Sequence, residues 1–282
     1  MPRFRYVVAD VFTDTPLQGN QVAVFTDARE IPEDRLQPIA REMNYSETVF
    51  VYKPEGDGHA KIRIFTPTIE LPFAGHPTLG TAFILSAPLL LEEIKLETGS
   101  GLVPVRLERE DGRIVFGRME QPLPTVEAFD GVERLLEILG VGQAELPVEL
   151  YDNGVRHVYV CLGSEDEVAS LQPDMARLAL ESAAVGFNCF AGEGRTWKNR
   201  MFAPAGGVPE DPATGSAAGP LACHLGRHGV VPWGEQLELE QGSEIGRPSR
   251  LYARATGSGD TIESVEVGGS AVTVARGEFK VP

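Results

Sequence analysis

The chain has 282 residues, 42% of them hydrophobic and 23% charged, a composition that suits a folded globular protein of about two domains. Lysine and arginine number 25 against 41 aspartates and glutamates, a formal net charge of −16 with no basic run to offset it. Such a surface repels phosphate backbones, so nucleic acid is excluded as an expected partner.

The opening residues run directly into a strand-like pattern with Val7, Val8 and Val11, so no secretory leader is expected and the expected location is cytoplasmic. A second strand-like run, Val22-Ala23-Val24-Phe25, precedes Pro32, which suits a first helical position, and a helix running toward Met43. Over 44–52, period-two alternation puts Glu47 on one strand face with Tyr45, Val49 and Val51, and Thr48, Phe50 and Tyr52 on the other. Glu47 is the only charge there. Lost hydration would raise its pKa toward the range of a general base, whereas a Glu at a strand end reaching solvent is an equal alternative.

Residues 72–80 read Pro-Phe-Ala-Gly-His-Pro-Thr-Leu-Gly and lead into an apolar helix over 78–85. Pro77 fits the helix start, where its missing N–H would have no partner anyway. The turn then presents free backbone N–H groups and the positive end of the helix dipole, a site suited to a carboxylate. His76 at that mouth is an acid or hydrogen-bond donor, or equally a capping or packing histidine. The most apolar stretch, 81–91, contains Pro88 and falls short of the roughly 20 residues that cross a bilayer, so no membrane segment is expected.

An internal repeat organises the whole. Arg63, Phe65, Pro67 and Pro72 recur as Arg200, Phe202, Pro204 and Pro209, all displaced by 137 residues. Val158-Tyr159-Val160-Cys161 answers 22–25 at a displacement of 136. In the second half, Ser164 and Glu167 have capping-box spacing, and Pro173 interrupts the helical stretch before 175–183. The repeat places Glu210-Asp211-Pro212-Ala213-Thr214-Gly215-Ser216 at the mouth of a second apolar helix, 216–225, with Asp211 aligned ungapped to Ala74. Thr214 and Ser216 are good N-cap residues, and capping is their plain reading. Short turns such as Gly268-Gly269 favour antiparallel pairing. The expected fold is α+β: two pseudo-symmetric lobes, each a mostly antiparallel sheet wrapped around a central apolar helix. The first lobe spans 1–121, joined by the C-terminal end at about 266–282, and the second, its duplicate, spans 125–265. Two helix mouths would converge on one cleft able to hold an anion despite the negative total charge.

The motifs Asp10-Val-Phe-Thr-Asp-Thr-Pro-Leu-Gln-Gly-Asn20, Ser46-Glu47-Thr48, Phe73-Ala-Gly-His-Pro-Thr-Leu-Gly80 and Glu210-Asp-Pro-Ala-Thr-Gly-Ser216 occur in this order, followed by Gln241-Gly242 and Gly246-Arg-Pro-Ser249. The ordered set resembles the phenazine-biosynthesis PhzF family over nearly the whole chain. That resemblance implies the diaminopimelate epimerase fold, a homodimer, and isomerisation of trans-2,3-dihydro-3-hydroxyanthranilate. It puts Glu47 on the general base, and His76 and Asp211 on positions that protonate or bind the substrate. Gly75 and Gly215 would present backbone N–H groups, with Ser46 and Ser216 as further contacts. Gln21 follows Gly19-Asn20 where many relatives have Pro, a departure confined to a turn.

The expected function is therefore a cofactor-independent isomerase acting on a small cyclic or amino-acid-like carboxylate. One base on one face can lift a proton from one carbon and return it to another along a conjugated ring. A two-thiol epimerase is disfavoured, because the turn positions expected to carry cysteines look like Ala74 and Pro212. Cys161, Cys189 and Cys223 lie in neither motif turn and read as reduced thiols. The remaining alternatives are a non-catalytic ligand-binding or interaction protein on the same scaffold, or a cysteine-independent epimerase. No metal is expected: His224 and His228 are four apart, but Gly226 and Gly229 suggest that the helix is ending there. Nor does a nucleotide-binding motif occur.

Overall fold

Residues 1–281 are described in the computed structural model, and they fall into two units, Met1–Glu120 with the chain from Gly268 onward, and Gln121–Val267. In the first, the strand Asn20–Phe25 pairs parallel with Glu47–Tyr52. A parallel pair needs a crossover, and the helix Glu33–Met43 supplies it. Glu47–Tyr52 pairs antiparallel with Ala60–Phe65, which takes Glu70–Leu71 antiparallel and Glu93–Thr98 parallel. Gly101–Glu110 and Arg113–Glu120 continue from Glu93–Thr98 as an antiparallel meander. Arg3–Val11 pairs antiparallel with Asn20–Phe25 and with the returning strand Ala271–Lys280.

The second unit has the same sequence of pairings. Arg156–Cys161 pairs parallel with Gly186–Glu193, which pairs antiparallel with Thr196–Ala203. That strand takes Val208–Asp211 antiparallel and Gln236–Gln241 parallel, and Ser249–Ser258 follows antiparallel. The architecture is α+β, with a mostly antiparallel sheet around one apolar helix in each unit.

Those helices are Gly75–Ser86 and Gly215–Arg227. Both are longer than the 78–85 and 216–225 expected, because the Gly and polar residues that look like turn already have helical backbone. Gly75 to Phe83 are all buried, so the first helix has no solvent face to mark with polar residues. It lies directly on its strands: a Cβ on Gly80 would sit 2.8 Å from methyls of both Val11 and Val22. In the second helix, Pro220 has no N–H for the carbonyl of Ser216, and Asn153 Nδ2 donates to that oxygen instead at 2.9 Å.

Outer helices cover separate apolar cores. In the first unit Leu36, Ile39 and Ala40 pack with Phe25, Phe50 and Phe65, whose rings stand 5.2 and 5.4 Å apart in sequence along the sheet. In the second, Leu135, Ile138, Leu139 and Val168 pack on Val158, Val160, Phe187 and Phe202. Pro32 is the cap residue preceding Glu33–Met43 rather than its first helical residue. Ser164 caps as expected, its hydroxyl accepting from Glu167 N at 3.1 Å. The stretch expected as helix over 175–183 stops at Leu178, where Leu180 N and Glu181 N bond only three residues back and Arg134 holds the Glu181 carboxylate at 2.8 Å. Gly268 and Gly269 are strand residues, not a hairpin turn: a Cβ on Gly268 would meet the carbonyl of Gly117 at 2.8 Å and the Phe116 ring at 2.6 Å.

Candidate active site

Glu47 begins its strand directly opposite Val22 and is largely buried, its side chain 13% exposed. The second residue of the first central helix, His76, brings Nε2 to 3.2 Å from Glu47 Oε2. Two further contacts fix the ring. Asn20 Nδ2 lies 3.1 Å from His76 Nδ1, and the carbonyl of Gln21 lies 3.2 Å from Nε2. An amide nitrogen can only donate and a carbonyl can only accept, so Nδ1 is bare and Nε2 carries the proton. Burial pushes the imidazole down to about 3, against a smaller upward pull from the Gln21 carbonyl. His76 is thus neutral at ordinary pH, its single N–H donated to the Gln21 carbonyl, and its 3.2 Å approach to Glu47 Oε2 is a close polar contact rather than an ion pair.

No side chain caps the first central helix, so the N–H groups of its first turn remain for a ligand. Ala74, the cap residue, is extended, and its carbonyl accepts from the Thr78 hydroxyl at 2.7 Å. Pro77 stands third in the helix, still within the turn where an N–H would have no acceptor. Ser46 immediately precedes the Glu47 strand and is partly buried.

At the second mouth, Asp211 is the last residue of its strand and is 4% exposed. Thr214 occupies the cap position, yet its hydroxyl makes no capping bond; it donates to Asp211 Oδ2 at 2.6 Å. Gln241 zips the turn together, its Nε2 donating to Asp211 O at 2.8 Å and its Oε1 accepting from Thr214 N at 3.2 Å. Gly215 and Ser216 open the helix, again without a side-chain cap. Because the helices start at Gly75 and Gly215, Thr214 rather than Asp211 corresponds to Ala74, and the ungapped alignment of the two turns fails by three residues. Ser216 Oγ is not a cap either: it lies 3.0 Å from His157 Nε2. His157, Asn188 and the role of Gln241 are not evident in sequence, since each partner lies tens of residues away.

The three cysteines are buried far from chemistry of their own. Burial pushes Cys189 and Cys223 up to about 12 and Cys161 up to about 11, so none is a thiolate at neutral pH. One group of ligand-type atoms does come together in the second unit: Glu149, His224 and His228. The oxygen Glu149 Oε2 there lies 2.7 Å from Arg227 Nη1, 3.0 Å from His228 Nε2 and from the Tyr151 hydroxyl, and 3.2 Å from His224 Nδ1. Burial works to raise the Glu149 pKa, but these donors together hold it well below the usual carboxylate range. With a guanidinium in the same shell, the group is a hydrogen-bonded network that a dication would have to displace.

A family model described as phenazine biosynthesis-like protein matches residues 9–277. The chain is 53% identical over 273 residues to the trans-2,3-dihydro-3-hydroxyanthranilate isomerase of Pseudomonas aeruginosa, covering 97% of this chain and 98% of that protein. A solved structure of the Bacillus anthracis phenazine biosynthesis protein, PhzF family, is 26% identical and superposes with a TM-score of 0.86 over 100% of both chains. A hydroxyproline epimerase from Agrobacterium vitis, at 12% identity and a TM-score of 0.66 over 98% of this chain and 92% of that one, shares the fold alone.

Proposed function

The chain belongs to the phenazine biosynthesis-like protein family, and from that premise we propose that it is a cofactor-independent isomerase of the trans-2,3-dihydro-3-hydroxyanthranilate type, with Glu47 as its general base. The observation that carries the reading is the buried pair Glu47–His76, 3.2 Å apart at an uncapped helix N-terminus. A carboxylate that must take a proton needs an orienting partner that does not titrate with it. Neutral His76 is such a partner: anchored by its N–H on the Gln21 carbonyl, the ring lies against Glu47 without supplying a competing charge.

In this reading Glu47 lifts a proton from one ring carbon and returns it to another on the same face, while the substrate's conjugation carries the electrons. The overall change is redox-neutral. The N–H groups at Gly75 and Gly215 bind carboxylate or developing oxyanion charge, Ser46 and Ser216 add hydrogen bonds, and Asp211 binds or protonates the substrate. The 53% identity to the Pseudomonas aeruginosa isomerase supports this substrate over other cyclic carboxylates. A cytoplasmic homodimer completes the reading, and sedimentation of the purified chain tests the dimer.

The experiment is direct turnover: purified protein and trans-2,3-dihydro-3-hydroxyanthranilate, with loss of the diene followed in the ultraviolet. Catalysed loss of absorbance is expected. Saturable binding with no turnover would leave the chain a ligand-binding protein and end the proposal.

A further inference from the structure

Both units have the same pairing pattern, so each paired row of one unit has a corresponding row in the other. Arg63 and Phe65 correspond to Arg200 and Phe202 in the repeat. Phe65 faces Thr48, and Phe202 faces Phe187. One row further along, Val22 faces Glu47 in the first unit and His157 faces Gly186 in the second. Gly186 therefore stands where the first unit has Glu47, and His157 where it has Val22, so the strand register corrects the displacement of 136 between 22–25 and 158–161 by one residue. The second helical residues complete the match: His76 is 3.2 Å from Glu47, and Ser216 is 3.0 Å from His157. The second unit carries no carboxylate at this row. An imidazole fills the space, since a Cβ on Gly186 would lie 2.6 Å from His157 Nδ1 and 2.8 Å from Met201 Sδ.

The surroundings fix where the His157 proton sits. Asn188 Nδ2 donates to the Val158 carbonyl at 3.3 Å, which turns the amide nitrogen toward the ring, 3.4 Å from His157 Nδ1. Nδ1 accepts, so Nε2 bears the hydrogen and donates it to Ser216 Oγ. Burial pushes the His157 imidazole down to about 3, so the ring has no second proton to give. Ser216 Oγ accepts from His157, and its own hydrogen is left to donate at the helix mouth.

We propose that His157 is a positioning residue that fixes Ser216 as a hydrogen-bond donor, making the second helix mouth selective for an acceptor oxygen of the substrate, a carboxylate or carbonyl, over an ammonium. The inference rests on the reading that Ser216 touches the substrate. The repeat also supplies no second copy of the carboxylate: the counterpart of Glu47 is a glycine packed against a neutral imidazole.

Two measurements test it. In the wild-type protein, nitrogen-15 shifts of His157 are expected to show the neutral Nε2–H tautomer throughout pH 5 to 8; the Nδ1–H tautomer, or protonation in that range, overturns the proposal without any substrate. In kinetics, His157→Leu is expected to lower kcat/KM by about 3- to 10-fold, mostly through KM, the worth of one hydrogen bond. His157→Gln, which keeps an N–H near Nε2, should recover most of that loss. In a Ser216→Ala background the Leu change should cost less than about 2-fold, because the bond it removes is already absent. An undiminished loss in that background, or Gln no better than Leu, overturns the proposal as a merely structural role. Wild-type kcat/KM from Ser216→Ala removes Ser216 from the substrate and the inference with it. Failure of the wild-type protein to turn over would strike the proposed function, while the tautomer still decides the His157 geometry.

Discussion

Arg63 and Arg200 are the same residue of the repeat in two different degrees of burial, which makes them a matched pair for perturbation. Arg200 forks onto Glu210 through Nε and Nη2, each at 2.8 Å, and both side chains are only 8% exposed. Its remaining nitrogen, Nη1, donates to the carbonyls of Val168, Ala169 and Leu171 at 3.3, 3.1 and 2.8 Å. Arg200→Met strands a buried carboxylate and three carbonyls together, a loss of about 3–5 kcal/mol for a buried pair broken from one side. In a unit of this size that corresponds to a fall of roughly 6–20 °C in midpoint. Arg63 makes the equivalent fork to Glu70 and reaches Glu33, but the side chains are 24%, 41% and 75% exposed. Water replaces what is lost there, so Arg63→Met should cost at most about 1 kcal/mol. Both tryptophans, Trp197 and Trp233, lie in the second unit, so denaturation followed by fluorescence reads Arg200→Met there, while circular dichroism reads Arg63→Met. Equal losses from the two variants, or a loss under 1 kcal/mol from Arg200→Met, would refute the burial argument. Since Glu210 precedes Asp211 in one strand, the Arg200 variant should also impair turnover beyond its effect on stability.

Stability should fall as pH drops below 6.5, because unfolded histidine binds a proton there while His76 and His157, held down to about 3 by burial, do not. Each contributes up to about 1.4 kcal/mol per pH unit between 6.5 and 3, and urea melts of wild type and His157→Gln at pH 7, 6 and 5 should show the variant with the shallower slope. Prolonged dialysis against a chelator is expected to leave turnover unchanged; a loss restored by one divalent metal would make Glu149, His224 and His228 a cation site. Substrate deuterated at the donor carbon should pass part of its label to product during reaction in ordinary water, as Glu47 returns the captured deuteron before it exchanges. Complete washout in early product would mean that the captured proton meets solvent before its return.

What could be read ahead of the structure follows from how local each signal is. Pro72 to Gly80 announces its helix mouth because proline and glycine act on their own backbone, so His76 and Gly75 could be placed from neighbours alone. The second mouth carries the same information, but the hairpin leading to it is three residues longer, Phe202 to Gly215 against Phe65 to Gly75, and an ungapped comparison paired Ala74 with Asp211 instead of Thr214. Thr214 and Ser216 look like caps by residue type; other side chains engage both hydroxyls, Asp211 of the same turn in one case and the distant His157 in the other. Gly268 and Gly269 look like a turn by composition, yet both are strand residues, and Gly268 is small because its strand passes close to Gly117. The Glu47 alternation was readable because strand period is local. Its contact with His76 and the glycine counterpart at Gly186 needed the register of strands far apart in the chain.

The central claim, that Glu47 carries the proton, meets its most direct test in the steady-state kinetics of Glu47→Gln with ligand affinity measured alongside by calorimetry. Gln keeps the size and a hydrogen-bonding oxygen near His76 but cannot accept the proton. The expected result is a folded variant that binds a hydroxyanthranilate product analogue within a few-fold of wild type and loses about 10²–10⁴ in kcat, the usual worth of a positioned general base. A folded Glu47→Gln protein turning over at the wild-type rate would contradict the account.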